Sequence, residues 1–344
     1  MAEKANVSIG TVDRVLHSRG EVSETTREKI LKIVEELDYK PNLIASALAS
    51  RKTTKLAILI PRSISEESYW IKPLSGINNA LQNYIQYGIE VKFFLFDFFN
   101  NKSFEEEGEK LLEWVPQGVI IAPLFYKESI NLIGQLKNLS IPYLFIDTNI
   151  QDQEQLSFIG QDSFQSGYLS AKLLDICIPS SCSVLIINFS HRIDNPNHLH
   201  QREEGFRTYF EQNDPEHKKK LIPLALEDKE DEEFIENLST LLAESKTIQG
   251  IFVTNSKVYR IARLLEKKDL RGIRLIGYDL LPKNTEFLKK GVIDFLINQR
   301  PEEQGYNALT TLFDHVVGRK TVEAINFTPI DIITKENIDY QKVF

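Results

Sequence analysis

From Leu56 onward the chain alternates short apolar runs with amphipathic stretches. The runs are LAILIP (56–61), IEVKFFLFD (89–97), GVIIAP (118–123), PYLFID (142–147) and SFIGQD (157–162), then SVLIINF (183–189), LIPLAL (221–226), GIFVTN (250–255), IRLIGYD (273–279) and DFLINQ (294–299). Each is nearly continuous in apolar residues rather than alternating, which is the pattern of strands covered on both faces by helices. Two successive sets of such strand–helix units predict an α/β body of two doubly wound, parallel-sheet lobes with a cleft between them. No internal repeat of solenoid period is present.

The first 55 residues follow a helical period instead. Ser8 can cap a helix starting at Ile9 whose Val12, Val15 and Leu16 share one side. The other side carries Ile9, Gly10, Asp13, Arg14 and His17. An apolar face for docking, backed by small, polar and basic groups, suits a helix that reads the major groove. Ser23 can cap a second helix running to about Asp38, with Ile30, Leu31, Val34 and Leu37 as its packing stripe. Asn42 can cap a short helix over Leu43 to Ser50, too short to be stable alone in water.

Residues 2–16 (AEKANVSIGTVDRVL), 22–30 (VSETTREKI) and 37–52 (LDYKPNLIASALASRK) together resemble the lac-repressor family of bacterial transcription regulators. The resemblance is specific because a reading helix, a support helix and a Y-x-P-N hinge stand in fixed order and spacing. It implies a helix-turn-helix head at 1–40, a hinge helix and linker at 41–55, and an effector-binding and dimerisation domain at 56–344 whose core is like a type I periplasmic sugar-binding protein without its export signal. It also implies binding of a pseudo-palindromic operator by a homodimer, with Leu48 as a wedge in the minor groove and Ala45 at the helix–helix contact beside it. Family members carry several more residues before Met1, so the first helix is expected to be incomplete and operator binding by the chain as written to be weak.

For the head, Ile9, Gly10, Asp13 and Arg14 are the expected base readers, with His17 near the groove edge. Arg14 can contact guanine, while Asp13 either accepts from a cytosine amine or pairs with Arg14 or another neighbour. Ser8, Thr11 and Thr26 are candidate phosphate ligands. Charge fits contact through the head alone: residues 1–55 hold 10 Lys and Arg against 8 Asp and Glu, whereas the remainder holds 31 against 41.

Ligands of doubly wound sheets bind at the carboxyl ends of the strands. Several runs end there in Asp, Asn or Gln, side chains that donate or accept in pairs as polyhydroxylated ligands require. The resemblance assigns sugar contacts to Asp147, Arg202 in QREEGF, Asn255 in VTN, Asp279 in GYD and Gln299 in INQ. A guanidinium and a carboxylate both hold vicinal hydroxyls bidentately, so Arg202 and Asp279 matter most. The simpler alternative for each Asp or Asn is capping of the helix that follows. Tyr69 and Trp70 either stack on a sugar ring or anchor the first lobe's helix.

Other chemistry finds little support. His191, His198 and His200 do not share a helix face and lack partners at zinc spacing, so effector contact is expected of that segment rather than a metal. Cys177 and Cys182 form no disulfide framework and are expected as reduced, partly buried thiols. No phosphate loop, dinucleotide fingerprint or nucleophile elbow occurs, and the triplets Glu105–Glu107 and Asp231–Glu233 read as solvated helix starts. No enzyme activity and no cofactor are expected. Without an apolar run of spanning length or an opening signal segment, a cytoplasmic protein with no membrane partner is expected. The expected function is a regulator whose operator affinity follows a small effector, a sugar or sugar derivative. The alternative is a cytoplasmic sugar-binding protein without DNA function.

Overall fold

The structure is a computed structural model that describes residues 1–16, 20–37, 53–63, 65, 68–190, 197–216, 218–227, 238–242, 244–245 and 247–341. The chain forms two compact units, Met1–Lys52 and Thr53–Phe344.

In the first unit, helices α1 (Ala2–Ala5), α2 (Ile9–Leu16) and α3 (Glu24–Glu36) enclose a small core of Ala5, Val12, Val15, Ile30 and Ile33. Ser8 caps α2 as its position predicts, its Oγ accepting from the Thr11 amide at 3.1 Å. Ser23 stands before α3, but its hydroxyl pairs with the Thr26 hydroxyl at 2.7 Å and caps no amide. The expected packing stripe of α3 needs correction: Ile30 and Ile33 are buried, whereas Leu31 and Leu37 are exposed. Three residues is close to one helical turn, so Ile33 returns to the face of Ile30 while Leu31 lies 100° away. Leu37 follows the last helical turn rather than belonging to it.

The second unit holds two six-stranded sheets. The first contains β1 (Thr54–Pro61), β2 (Ile89–Phe96), β3 (Gly118–Ile121), β4 (Tyr143–Ile146), β5 (Phe158–Gly160) and a late strand β11 (Ile325–Phe327), in the order β11-β5-β4-β3-β1-β2. The second contains β6 (Cys182–Ser190), β7 (Lys219–Glu227), β8 (Ile248–Val253), β9 (Arg274–Tyr278), β10 (Phe295–Asn298) and β12 (Asp331–Ile333), in the order β12-β10-β9-β8-β6-β7. The two orders correspond strand for strand. All pairings are parallel except that of β12 with β10, so both lobes have the expected doubly wound parallel architecture with one antiparallel edge strand. Strands β11 and β12 were not expected from the pattern: each has only three residues, and Ile325 and Phe327 are exposed.

The central strands are buried along their length, as in LAILIP, where Leu56 to Ile60 have no exposed surface. The chain passes between lobes after β5, after β10 and between β11 and β12. Each of the first two passages leads into a helix: α7 (Ser163–Cys177) after β5 and α11 (Pro301–Val316) after β10. The side chain of Asp162 caps α7 by accepting from the Gln165 amide at 2.8 Å, the simpler role for a strand-end carboxylate. Glu105 to Glu107 sit in the second turn of α5 (Asn101–Trp114), not at its start, because Asn100 supplies the cap.

Both of those helices lie backbone to backbone on a partner. In the second lobe α7 crosses α8 (Asn197–Asn213): a Cβ on Gly167 would stand 2.0 Å from the Arg202 carbonyl oxygen, and one on Gly205 would stand 2.0 Å from that of Phe164. In the first lobe α4 (Ile71–Tyr84) crosses α11 through the same reciprocal arrangement, Gly76 against Glu302 and Gly305 against Pro73. Substituting alanine at Gly167 must spread the α7–α8 pair, and is expected to cost ~1–3 kcal/mol in chemical denaturation. Gly134, exposed on α6 (Tyr126–Asn138) with open space around it, is the opposite case. There Gly134→Ala is expected to stabilise by ~0.5–1 kcal/mol, and equal effects at the two positions would contradict the crossing argument.

Candidate functional site

The carboxyl ends of β4 and β9 carry the same device. Asp147 and Asp279, each one residue past its strand, adopt left-handed backbone at φ 69° and 70°. A non-glycine residue there costs about 1–3 kcal/mol and persists only when held by its surroundings. Here both are held alike, the Asp147 amide donating to the Ile159 carbonyl and the Asp279 amide to that of Ile297, each at 2.9 Å. Neither carboxylate caps the following helix. Both line a cleft of about 330 Å³ between the lobes.

Arg202 enters this cleft from α8 and is only 2% exposed. Its guanidinium lies 3.8 Å from the Tyr278 ring centre, and that tyrosine's hydroxyl is fixed by Ser166 at 2.9 Å. Nη1 donates to the Thr254 carbonyl at 2.7 Å and Nη2 to Gln299 Oε1 at 2.5 Å. Gln299 Nε2 then donates to Asp279 Oδ1 at 2.9 Å. The Gln299 carbonyl accepts in turn from Gln304 and Thr328 at 2.9 and 3.1 Å, so one residue serves both cleft and crossover. Arg202 Nε is buried with no hydrogen-bond partner among the described residues.

Burial pushes the Asp279 carboxyl up to about 7, against the opposing pull of Arg202 and Gln299. Asp147 is raised for the same first reason, while its bond from the Tyr69 hydroxyl at 2.7 Å and the Arg202 charge work the other way. His198 is held neutral: burial first, then the charge of Arg202, lowers its imidazole to about 3. Its Nδ1 lies 3.0 Å from the Thr148 hydroxyl of the first lobe, and Asn197 Nδ2 donates to the Asn149 carbonyl at 3.2 Å, so α8 reaches across the cleft. Lys257, on the second lobe's wall, is lowered to about 8 by burial and by Arg260.

All seven effector positions named from the sequence line this one cleft: Tyr69, Trp70, Asp147, Arg202, Asn255, Asp279 and Gln299. Their roles differ. Asn255 is partly a cap, its Oδ1 accepting from the Lys257 amide at 3.1 Å and its Nδ2 donating to the Phe189 carbonyl at 2.9 Å, which leaves one amide hydrogen for the cleft. Trp70 is buried edge-on against Tyr69 with ring centres 5.4 Å apart, mainly an anchor for α4. Tyr69 is polar in its action, through Asp147. Of the described histidines of this segment, His198 lines the cleft and His200 is exposed; His191 lies outside the described residues. Sequence reading missed Lys257, Phe98 and Phe99 as wall residues, since no spacing links those loops to the strand ends they approach. Cys177 and Cys182 are free thiols, half-buried and buried.

In the head unit Ile9, Gly10, Asp13 and Arg14 all lie exposed on the side of α2 opposite the buried Val12 and Val15, with Ile9 80% exposed. Ser8, exposed, and Thr11, half-buried, pair through their hydroxyls at 2.9 Å, and Thr26 is half-buried. His17, Ala45 and Leu48 lie outside the described residues.

Comparison with known proteins agrees with both units. Residues 57–320 match the periplasmic binding protein domain family, and residues 1–42 match the lacI family of bacterial regulatory proteins. Catabolite control protein A of Streptococcus mutans is 46% identical over 61 residues, which is 18% of each chain, so the chain aligns with under a fifth of that relative's length. A crystal structure described as a LacI transcriptional regulator from Bacteroides fragilis superposes with a TM-score of 0.79 at 34% identity, covering 85% of this chain and all of that one. A glucose-galactose binding protein from Geobacillus stearothermophilus shares the fold, with a TM-score of 0.72 at 20% identity over 83% of this chain and 99% of its own.

The carboxyl of Asp279 gives the cleft a pH signature. Its pKa rises from 3.8 to about 7, so its contribution to stability is complete below pH 3.8 and is lost as pH rises through 7. His198 acts oppositely: lowered from 6.5 to about 3, its contribution is complete above pH 6.5 and lost as pH falls. Asp279→Asn removes the first slope and keeps an acceptor for Gln299. Its melting temperature relative to the parent is therefore expected to rise between about pH 5 and about pH 8 in ligand-free protein. A difference independent of pH would contradict the assignment.

Proposed function

Because the chain belongs to the lacI family of bacterial regulatory proteins, with a periplasmic binding protein domain as its body, we propose that it is a DNA-binding transcription regulator whose operator affinity is set by a sugar or sugar derivative bound between the lobes. The observation that carries the effector reading is the buried chain Arg202–Gln299–Asp279, facing Asp147 across the cleft. Asp97, Asp147 and Asp279 against Arg62, Arg202 and Lys257 leave little net formal charge in the lining, which suits a neutral polyol better than an ion. Hydroxyls can donate to Asp147 and Asp279 and accept from the spare Asn255 hydrogen. The cleft is a binding site and not a catalytic one in this reading.

A ligand touching Asp147 of the first lobe and Arg202, Asn255 and Asp279 of the second favours the lobe arrangement in which all four converge. Gln299 joins that convergence to the crossover. The head contributes Ile9, Gly10, Asp13 and Arg14 to base edges, and Ser8, Thr11 and Thr26 to phosphates. A homodimer would meet a pseudo-palindromic operator. The protein would act in the cytoplasm, and no described helix is long and apolar enough to cross a membrane.

Two variants separate the functions. With duplexes selected from a random-sequence pool, Arg14→Ala is expected to cost ~1–3 kcal/mol at one base pair in fluorescence anisotropy, leaving saccharide binding intact. A uniform loss on every sequence would mark Arg14 as a phosphate contact. Arg202→Ala strands the Gln299 and Thr254 acceptors, and should weaken saccharide binding by at least ~2 kcal/mol while ligand-free DNA binding persists. A sugar-binding protein without DNA function would select no duplex at all.

A further inference from the structure

The chain crosses between the lobes three times, and the crossings are bonded to one another. The first runs from Gly160 to Ser163, the second from Asn298 to Pro301 and the third from Phe327 to Asp331. Between the second and third, Arg300 holds Asp331 with two bonds, Nε to Oδ2 at 2.8 Å and Nη2 to Oδ1 at 3.0 Å. The Thr328 hydroxyl adds a bond to the Gln299 carbonyl at 3.1 Å. Between the first and third, the Thr328 amide donates to the Gly160 carbonyl at 2.8 Å.

One side chain joins all three. Gln161, in the first crossing and only 2% exposed, donates from Nε2 to the Asn298 carbonyl at 3.1 Å and to the Pro329 carbonyl at 3.2 Å. A primary amide has two N–H groups, and here each meets a different crossing. Turning the amide over would set its oxygen against both carbonyls, so its orientation is fixed. The orientation is held although it leaves Oε1 buried with no hydrogen-bond partner among the described residues.

Gln161 does not line the effector cleft, but the carbonyl it holds belongs to the residue before Gln299, whose side chain bonds both Arg202 and Asp279. A change of lobe angle is absorbed by backbone rotation at a few crossing residues. Three separate strands could each twist on their own, letting the lobes roll and slide as well as open. Bonds between the crossings suppress that freedom and leave one axis of bending.

We propose that Gln161 is a positioning residue for the effector response: its amide clasps the three crossings so that they bend together, and thereby keeps Gln299 aimed at Arg202 and Asp279 without touching the ligand. The regulatory part of this rests on the reading of the cleft as an effector site, whereas the clasp itself is measurable without ligand or DNA.

The test compares Gln161→Met, which keeps the length and removes both donors, with Gln304→Met. Gln304 is also fully buried, and its Nε2 donates to the Gln299 carbonyl at 2.9 Å, but that bond stays within the second crossing and the helix that follows it. In the full chain carrying Cys177→Ser and Cys182→Ser, spin labels on cysteines at exposed Lys102 of α5 and Glu204 of α8 report the distance between lobes by double electron–electron resonance. Without ligand, Gln161→Met is expected to widen the distance distribution about twofold or more, and Gln304→Met to leave it unchanged, although both lower the melting temperature. In calorimetry with glucose, galactose, mannose, xylose and arabinose, the tightest sugar is expected to lose about threefold or more in affinity for Gln161→Met, because the binding-competent arrangement is less populated. A lowered melting temperature with an unchanged distribution would overturn the proposal and leave Gln161 a packing residue. Equal widening in both variants would overturn it as well, and widening with sugar affinity intact would cut the link to the effector. If none of the five sugars binds the parent, the carbohydrate reading falls and the distance distributions alone decide the clasp.

Discussion

The cleft depends on two places where helices meet without side chains between them. Gly167 admits the Arg202 carbonyl into van der Waals contact with α7, and Gly76 and Gly305 do the same for α4 and α11. Interiors are packed too densely to absorb an added methyl group there without displacing a helix axis. The consequence is functional because α7 and α11 are the helices that receive the chain after its first two passages between lobes. The contact that fixes the backbone of Arg202 therefore also fixes where the first passage arrives. The second passage is held by α11, whose first turn follows Gln299 and Arg300.

From that frame the polar chemistry follows in order. A rigid α8 delivers Arg202 onto the face of Tyr278; Arg202 orients Gln299; Gln299 orients Asp279. The strained turn at Asp279 is held by the neighbouring strand, and the equivalent turn in the other lobe presents Asp147. Each carboxyl is kept partly desolvated, which favours the neutral acid until a ligand or a cation compensates it. The site is thus poised to gain more from a hydroxylated ligand than exposed groups would, since its donors and acceptors are already ordered.

Much of this was legible in the sequence, for identifiable reasons. Buried parallel strands announce themselves as unbroken apolar runs, and ligands gather at their carboxyl ends, so Asp147, Asn255, Asp279 and Gln299 could be named by position. Ser8 and the split of α2 into buried and exposed faces follow from helical period. What could not be read depends on tertiary approach. Tyr69 meets Asp147 from 78 positions away, and Lys257 and Phe99 come into the cleft on loops with no period. Strands β11 and β12 are too short to carry a pattern. The glycine crossings were invisible because a lone glycine in a helix looks like a weak helix former until its neighbour's backbone is seen.

The central claim is that one ligand in the cleft sets how well the head holds DNA. The direct measurement is the dissociation constant of the full chain for a selected duplex, followed across a titration of the saccharide that calorimetry identifies. The account predicts that the operator affinity shifts and saturates, with a midpoint that tracks the saccharide's own dissociation constant, as linkage requires. An operator affinity that stays constant while the cleft fills would contradict it.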